Sequence, residues 1–546
     1  MKSKDETTTD DGSTKLKHRT NSKMNGHVEL TNSRVVSDGK ENTMDGTVIK
    51  ELRMRMERMS ENIVGHVNDR INDMISEVLN KFETSIPNNV RQMSSDVGDK
   101  YSDKRKLSNG SLLPEKEFLE RNSSLTDLFH TNNHVRTIYN IFIVILIILF
   151  MNTVMYDIAY NGSLHIGMNT IMLGFGKFSN VLYIWLLMAF ATLAIYVPFN
   201  VWANKRLDFL PISYALRIWD YGWLAGFVLY LILFIVLPLK AVVNEELPIA
   251  SSVVVFTEQV RMLMKSYAFV RSTAPKYLSF KHHAEMAKPA MPDFSRYLYF
   301  FFAPTLIYKD SYPRTRNIRW KVAFWHYFEV LLIIFYSAFI FERFFSETYR
   351  EYGKEPMGYK KLFVNILNTS MPGLLFFLCG FYCLLHAWMN GCAELLRFAD
   401  RLFYKDWWTS TSYRKYYKAW NVVVHDWLYE YVYKDVYEIL TNHNRSIATS
   451  FVFILSACFH EYILAFSFRF FCPIMFIMFG IVGLSFAFIT KKTGNIFLWF
   501  SLCLGSGIIT SMYSIEFYAR RNCAPYSNEF IDLIFPRSWS CVPISK

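Results

Sequence analysis

Charged residues make up only 19% of this 546-residue chain, against roughly 25% in an ordinary soluble domain. No CxxC pair occurs among the eight cysteines, and none shows metal-ligand spacing. No apolar h-region opens the sequence, so no cleaved signal peptide is expected. No internal repeat is visible. Hydrophobic residues reach 52% and aromatics 17%, and they are unevenly placed: residues 1–133 are almost wholly polar, and long apolar runs follow. Together these features exclude a soluble globular enzyme, a disulfide-rich secreted domain and a nucleic-acid binder. The formal charge of +12 does not point to nucleic acid, because the Lys and Arg residues lie mostly between apolar runs, where they set membrane topology. The pattern is that of an all-α polytopic membrane protein with a polar N-terminal region.

Residues 1–50 carry few large apolar side chains and read as a disordered tail. Over residues 51–86, Leu52, Met56, Met59, Ile63, Val67, Ile71, Met74, Val78 and Phe82 recur at steps of three or four, the pattern of an amphipathic helix. Self-association is the favoured cover for that stripe, over packing on the membrane domain or on lipid. Pro87 ends the pattern, and residues 87–133 read as a polar linker before a membrane domain over 134–546.

A spanning helix needs about 20 largely apolar residues. Eight segments qualify, near 137–157, 180–202, 221–243, 323–342, 371–390, 447–468, 473–490 and 496–514. A ninth, near 248–270, is weaker because it carries Glu258, Arg261 and Lys265. Nine spans with a cytosolic N-terminus place the basic loops 203–220, 271–322, 391–446 and 491–495 on the cytosolic side, as the positive-inside rule requires. The tail after residue 514 then falls in the lumen, where disulfides form. There Cys523 and Cys541 are expected to pair, two free thiols being the alternative.

Several stretches carry chemistry. His460 sits near the middle of an apolar helix, in Ala457-Cys458-Phe459-His460-Glu461-Tyr462. An ionisable group at membrane depth faces a cavity or the bundle interior, so His460 is either a site residue or a neutral histidine bridging helices. Ser456 shares its helical face one turn earlier; Cys458 points elsewhere, which argues against a Cys–His nucleophilic pair. Loop 391–446 is unusually aromatic, with Phe403-Tyr404-Lys405-Asp406-Trp407-Trp408-Thr409, then Trp420-Asn421, then His425-Asp426-Trp427-Leu428-Tyr429. Its rings fit an interfacial belt, and the added Lys, Arg and Asn residues favour a site for an anionic, partly aromatic ligand. His386 is a second intramembrane histidine for which packing is the expected role.

In these motifs, and in Ala303–Arg314 and the C-terminal Pro536-Arg537-Ser538-Trp539-Ser540-Cys541, the chain resembles the sterol O-acyltransferases (acyl-CoA:cholesterol acyltransferases) of the membrane-bound O-acyltransferase superfamily, from about residue 120 to the end. Phe403–Thr409 is similar to that family's FYxDWWN signature, with Thr409 in place of the final Asn. The diacylglycerol O-acyltransferases share the DWW motif, the loop Asn and the membrane His. The Asp in His425–Tyr429, the paired lumenal cysteines and the long N-terminal region favour the sterol branch.

The resemblance implies the MBOAT fold, about nine helices around a buried reaction chamber, and transfer of a long-chain acyl group from acyl-CoA to the 3-hydroxyl of a sterol such as cholesterol. His460 would be the catalytic base and Asn421 its companion, with Phe403, Tyr404, Asp406, Trp407, Trp408 and His386 as motif positions. The base would activate the hydroxyl for direct attack on the thioester, with no acyl-enzyme, no metal and no cofactor. Acyl-CoA would meet the basic aromatic loop through Tyr417, Lys418, Trp420, Tyr433 and Arg445, with Ser456 near the thioester. The expected setting is a homo-dimer or tetramer in the endoplasmic reticulum membrane. A transporter with His460 in a proton relay is the reading from another class; it predicts internal repeats or paired interrupted helices.

Overall fold

The computed structural model describes residues 115–162, 168–210, 213–280, 289–354, 357–441, 443–489 and 493–544, all within the unit spanning residues 107–546. The tail over 1–50, the amphipathic helix over 51–86 and the first part of the 87–133 linker lie outside the described residues. What is described is almost wholly helical. The principal helices are α1 (Asn133–Tyr156), α2 (Phe178–Ala194), α3 (Tyr214–Asn244), α4 (Ile249–Leu278), α5 (Trp320–Ile340), α6 (Tyr359–Phe381), α7 (Tyr413–Trp420), α8 (Val422–Leu428), α9 (Arg445–Phe468) and α10 (Asn495–Asn522).

The nine apolar segments fall on helices, and among the described residues length and composition single out six of these helices: 133–160, 178–206, 214–244, 359–395, 445–468 and 495–522. The other three differ in character. Phe476–Ile489 is too short. Helix α5 is long and apolar but carries Lys321, His326 and Glu329 in its first half. The charges in α4 disqualify it by composition, and the fold explains why it carries them. This helix is packed between α2, α3 and α9, with buried residues along its whole length. The charges in its middle are satisfied internally, as burial demands. Arg261 pairs with Glu258 at 2.7 Å, and Glu258 also accepts from the Trp185 indole. Lys265, 1% exposed, donates to the carbonyls of Phe300, Phe301 and Ala303, the C-terminal end of helix Phe294–Phe302, where a cation is favoured.

Helices α6 and α10 pair closely because their contact is built on small residues. A Cβ on Gly507 would overlap the Ser370 hydroxyl, and one on Gly373 would lie 3.1 Å from the Ser506 carbonyl. Beyond α10 the chain is stapled by a disulfide between Cys523 and Cys541. Gly353, at φ +87°, lies against it, leaving no room for a side chain. Glu516 accepts from the backbone N–H groups of Arg537 and Ser538, so the Pro536–Cys541 motif folds back onto the end of α10.

The reading of residues 87–133 as a linker needs correction in its described part. From Glu115 the chain is a strap laid on the membrane domain. Phe118 packs edge-on against Tyr312, Arg121 bridges to Asp400, and Ser124 opens a short helix, Ser124–Thr131.

Candidate active site

Three consecutive residues of α9 leave the helix about 100° apart and do three different jobs. Tyr462 donates to Gln259 of α4 at 2.8 Å. Glu461 accepts from the backbone N–H of Phe476 at 3.1 Å and from the Tyr513 hydroxyl. Between them they fix the rotation of α9 and so aim His460. The outward stripe of the helix is marked by exposed Phe451, Ile454 and Cys458. His460 is nine residues after Phe451, about two and a half turns, and so lies on the opposite side. Its ring nonetheless retains accessible surface, which therefore opens inward. There it meets Phe479 at 5.1 Å.

The Nδ1 atom of His460 is 2.7 Å from the Ser456 carbonyl oxygen. A carbonyl only accepts, so Nδ1 carries the proton and Nε2 keeps its lone pair. Ser456 contributes through its backbone one turn below the ring.

Opposite His460 stands α7. Tyr417 contacts Phe453 of α9 at 4.8 Å and Phe479 at 5.6 Å, so it shares Phe479 with His460. The wide-turn helix Phe476–Gly483 closes this wall, and helices of that kind recur at functional sites. It approaches through two glycines: Gly480 faces Ala457, and Gly483 lies under the Tyr417 hydroxyl, where a Cβ would overlap. Trp420 stacks on Phe377 at 4.5 Å and 10°, while Lys418 is exposed.

Asn421 is the extended residue between α7 and α8, at φ −137° and ψ 91°. Its Oδ1 accepts from the Val424 N–H at 3.1 Å, an N-cap. The cap consumes the amide's acceptor and leaves the Nδ2 donors available. Among the described residues no hydrogen bond joins Asn421 to His460.

The Phe403–Thr409 segment supports Asn421 rather than lining the inward face of His460. The Lys405 N–H donates to Ala419 O at 2.8 Å and the Val422 N–H to Phe403 O at 2.9 Å, clamping the backbone on either side of Asn421. Phe403, Tyr404 and Trp407 are buried in one cluster, with Trp407 4.7 Å from Trp420. The Trp408 carbonyl accepts from Asn495 and Trp499. Asp406 is exposed, and Thr409 donates its hydroxyl to the Asp406 carbonyl at 2.8 Å. The departure at position 409 thus keeps the turn closed with a hydroxyl. His386 is buried at 4% exposure, with Nδ1 2.6 Å from the Tyr404 hydroxyl; it belongs to this supporting core and not to the face of His460.

Tyr433 and Arg445 are brought together by a feature the sequence reading missed. His425, Tyr429, Tyr433 and Tyr437, four residues apart, form a ladder of near-parallel rings with centroids 6.4, 5.6 and 5.8 Å apart. Arg445, on the first turn of α9, lies near Tyr437 at its end. The i, i+4 spacing was visible, but three aromatics in an aromatic-rich loop gave no reason to single it out. Phe479, Phe453 and Gly483 were missed too, because nothing distinguishes them within apolar runs. Near the other end of the ladder, burial opposes ionisation of Asp426, but the His425 hydrogen bond and the Lys116 ammonium hold its carboxyl below the usual range.

Comparison with known proteins places the chain in a family. The membrane-bound O-acyltransferase family model matches residues 134–515. The chain is 40% identical over 439 residues to sterol O-acyltransferase 1 of Mus musculus, covering 78% of this chain and 79% of that one. It is 37% identical to sterol O-acyltransferase 2 of Mus musculus, over 89% and 92% of the two chains. With sterol O-acyltransferase 2 of Homo sapiens it shares 34% identity, over 92% and 95%. The chain belongs to the membrane-bound O-acyltransferase family, within its sterol O-acyltransferase group.

Proposed function

We propose that this protein transfers a long-chain acyl group from acyl-CoA to the 3-hydroxyl of cholesterol or a related sterol, releasing free CoA. The observation that carries the reading is the inward-facing His460, whose Nδ1–H is committed to Ser456 O and whose Nε2 is therefore a base. A sterol hydroxyl is a poor nucleophile until its proton is taken, and imidazole is suited to that near neutral pH. The Nε2 lone pair accepts the hydroxyl proton as the oxygen bonds to the thioester carbonyl carbon. Charge builds on the carbonyl oxygen, and the Asn421 amide, its Oδ1 held by the cap, has its Nδ2 donors free to meet it. Loss of one such donor costs about 10²–10³ in rate. The C–S bond then breaks, and the proton on Nε2 passes to the departing thiolate. Proton and charge balance without a cofactor, metal or acyl-enzyme.

The bulky, anionic half of acyl-CoA fits the aromatic, basic loop. Tyr433 and Arg445 offer a ring and a cation at one end of the ladder, and Tyr417, Lys418 and Trp420 stand on the helix before Asn421. The acyl chain and the sterol reach His460 from lipid. The proposed setting is the endoplasmic reticulum membrane, with the N-terminus cytosolic, the disulfide-bonded tail lumenal and the enzyme a homo-dimer or tetramer.

Microsomes containing the protein, given labelled oleoyl-CoA with cholesterol or with diacylglycerol, test the reading. Cholesteryl ester formed by the wild type and lost in His460→Ala at equal expression supports it. Triacylglycerol as the main product would move the acceptor to diacylglycerol, and undiminished activity of His460→Ala would remove the base.

A further inference from the structure

The strap over residues 115–124 touches neither His460 nor its inward face, yet its charged residues reach both sides of Asn421. Upstream, the Arg121 guanidinium holds the Asp400 carboxylate with two bonds, 2.7 and 3.0 Å. The Arg121 backbone exchanges hydrogen bonds with Ala399 O and Arg401 N at 3.0 and 2.9 Å. The next residues along the chain, Phe403 and Lys405, are those whose backbones grip Ala419 and Val422. Downstream, the Lys116 ammonium lies 2.5 Å from Asp426, on the helix that Asn421 caps.

That helix, α8, runs on without a break into the wide-turn stretch Tyr429–Tyr433, so a contact made on its first turns bears directly on the residue that caps it. On the strap side it borders a small cleft lined in part by Phe118, Thr305, Ile307, Phe403 and Val422. What crosses the cleft edge is the Lys116–Asp426 ion pair.

We propose that the strap positions Asn421 for acyl transfer, with Lys116 as a positioning residue acting through Asp426 and α8. The inference rests on the reading of Asn421 as a residue that meets the reacting carbonyl. Lys116 touches no reacting group in this scheme, so its loss alters geometry and not chemistry. It therefore affects turnover more than substrate capture.

The test is a cycle of Lys116→Ala, Asn421→Ala and the double variant, with Lys116→Arg as the conservative control, each assayed at matched expression. Lys116→Ala is expected to lower kcat roughly 3- to 10-fold, well within what a misplacement near 1 Å produces, and to leave KM for acyl-CoA within about twofold. Lys116→Arg should restore most of the loss. In the Asn421→Ala background the lysine substitution should cost nothing further, since residues acting as one unit are non-additive. Amide hydrogen exchange over residues 422–428 should quicken in Lys116→Ala. The same fractional loss in both backgrounds, with Asn421→Ala itself impaired, overturns the inference and leaves the proposed function standing. Full activity of Asn421→Ala overturns the reading of Asn421 and the inference with it.

Discussion

The side chain of His460 donates from Nδ1 to the carbonyl of Ser456, 2.7 Å away and one turn earlier on the same helix. This one bond selects the tautomer, and the chemistry proposed above depends on it. His460→Gln is therefore expected to be more damaging than a change of ring position alone. The glutamine amide can keep a bond to the carbonyl but supplies no base. We expect kcat for acyl transfer to fall by about 10²-fold or more, with unchanged protein level, followed by release of free CoA. Loss of less than about threefold would reject the general-base role.

Gly483 and Tyr417 make a second paired prediction. A Cβ at position 483 collides with the Tyr417 hydroxyl, and Tyr417 is the ring that shares Phe479 with His460. Gly483→Ala should push Tyr417 aside and cut activity about tenfold. Tyr417→Phe removes the colliding oxygen, so the double variant should regain activity that Gly483→Ala lost. Failure of that rescue would mean the glycine is needed for another reason.

Thr409 offers a clean stability test. Its hydroxyl donates to the Asp406 carbonyl at 2.8 Å, beside a longer bond from its own N–H at 3.2 Å. Thr409→Val should destabilise the solubilised protein by about 1 kcal/mol, the usual net worth of such a bond. Thr409→Asn should be near neutral, because its amide can close the same turn. Thermal unfolding in detergent measures both.

The C-terminal tail is expected to loosen in acid. Asp532 is held below the usual carboxylate range chiefly by its hydrogen bonds from Arg537; burial opposes this, and the Tyr526 N–H and the charges of Arg537 and Arg520 add to the lowering. A depressed folded-state pKa means the pair's stabilisation is present above the unfolded value near 3.9 and is lost as pH falls through the folded value. Proteolysis of the tail should therefore rise below about pH 4 in the wild type. Asp532→Asn should show the raised rate already at neutral pH, with a flatter acid response; a profile identical to wild type would exclude the pair as its cause.

Breaking the Cys523–Cys541 disulfide removes a cross-link between residues 18 apart. Closing a loop of that size constrains the unfolded chain by about 3 kcal/mol. Cys523→Ser should lower the thermal unfolding temperature and the mobility difference between reduced and non-reduced gels should vanish. The His460 region lies on α9, so activity at low temperature should be largely kept.

Sequence alone determined the class of protein, the family, and the residues whose type announces chemistry. Low charge and long apolar runs require a membrane, because such segments find no other stable solvent. A histidine amid an apolar helix must find a partner or a cavity, and motifs in a fixed order name a family. Sequence could not decide direction. That His460 faces inward, with one nitrogen committed to Ser456, follows from the rotation of α9, and that rotation is set by Glu461 and Tyr462 through partners on other helices. The charges of α4 looked like reasons to doubt a helix; they belong to the most internal one, because partners distant in sequence satisfy them. Likewise the motif around Trp407 could be recognised but not understood, since its backbone serves Asn421 through hydrogen bonds between segments about 15 residues apart. Which residues exist to react is written in their chemistry. Which residues exist to hold those in place depends on contacts between distant parts of the chain, and only folding brings these together.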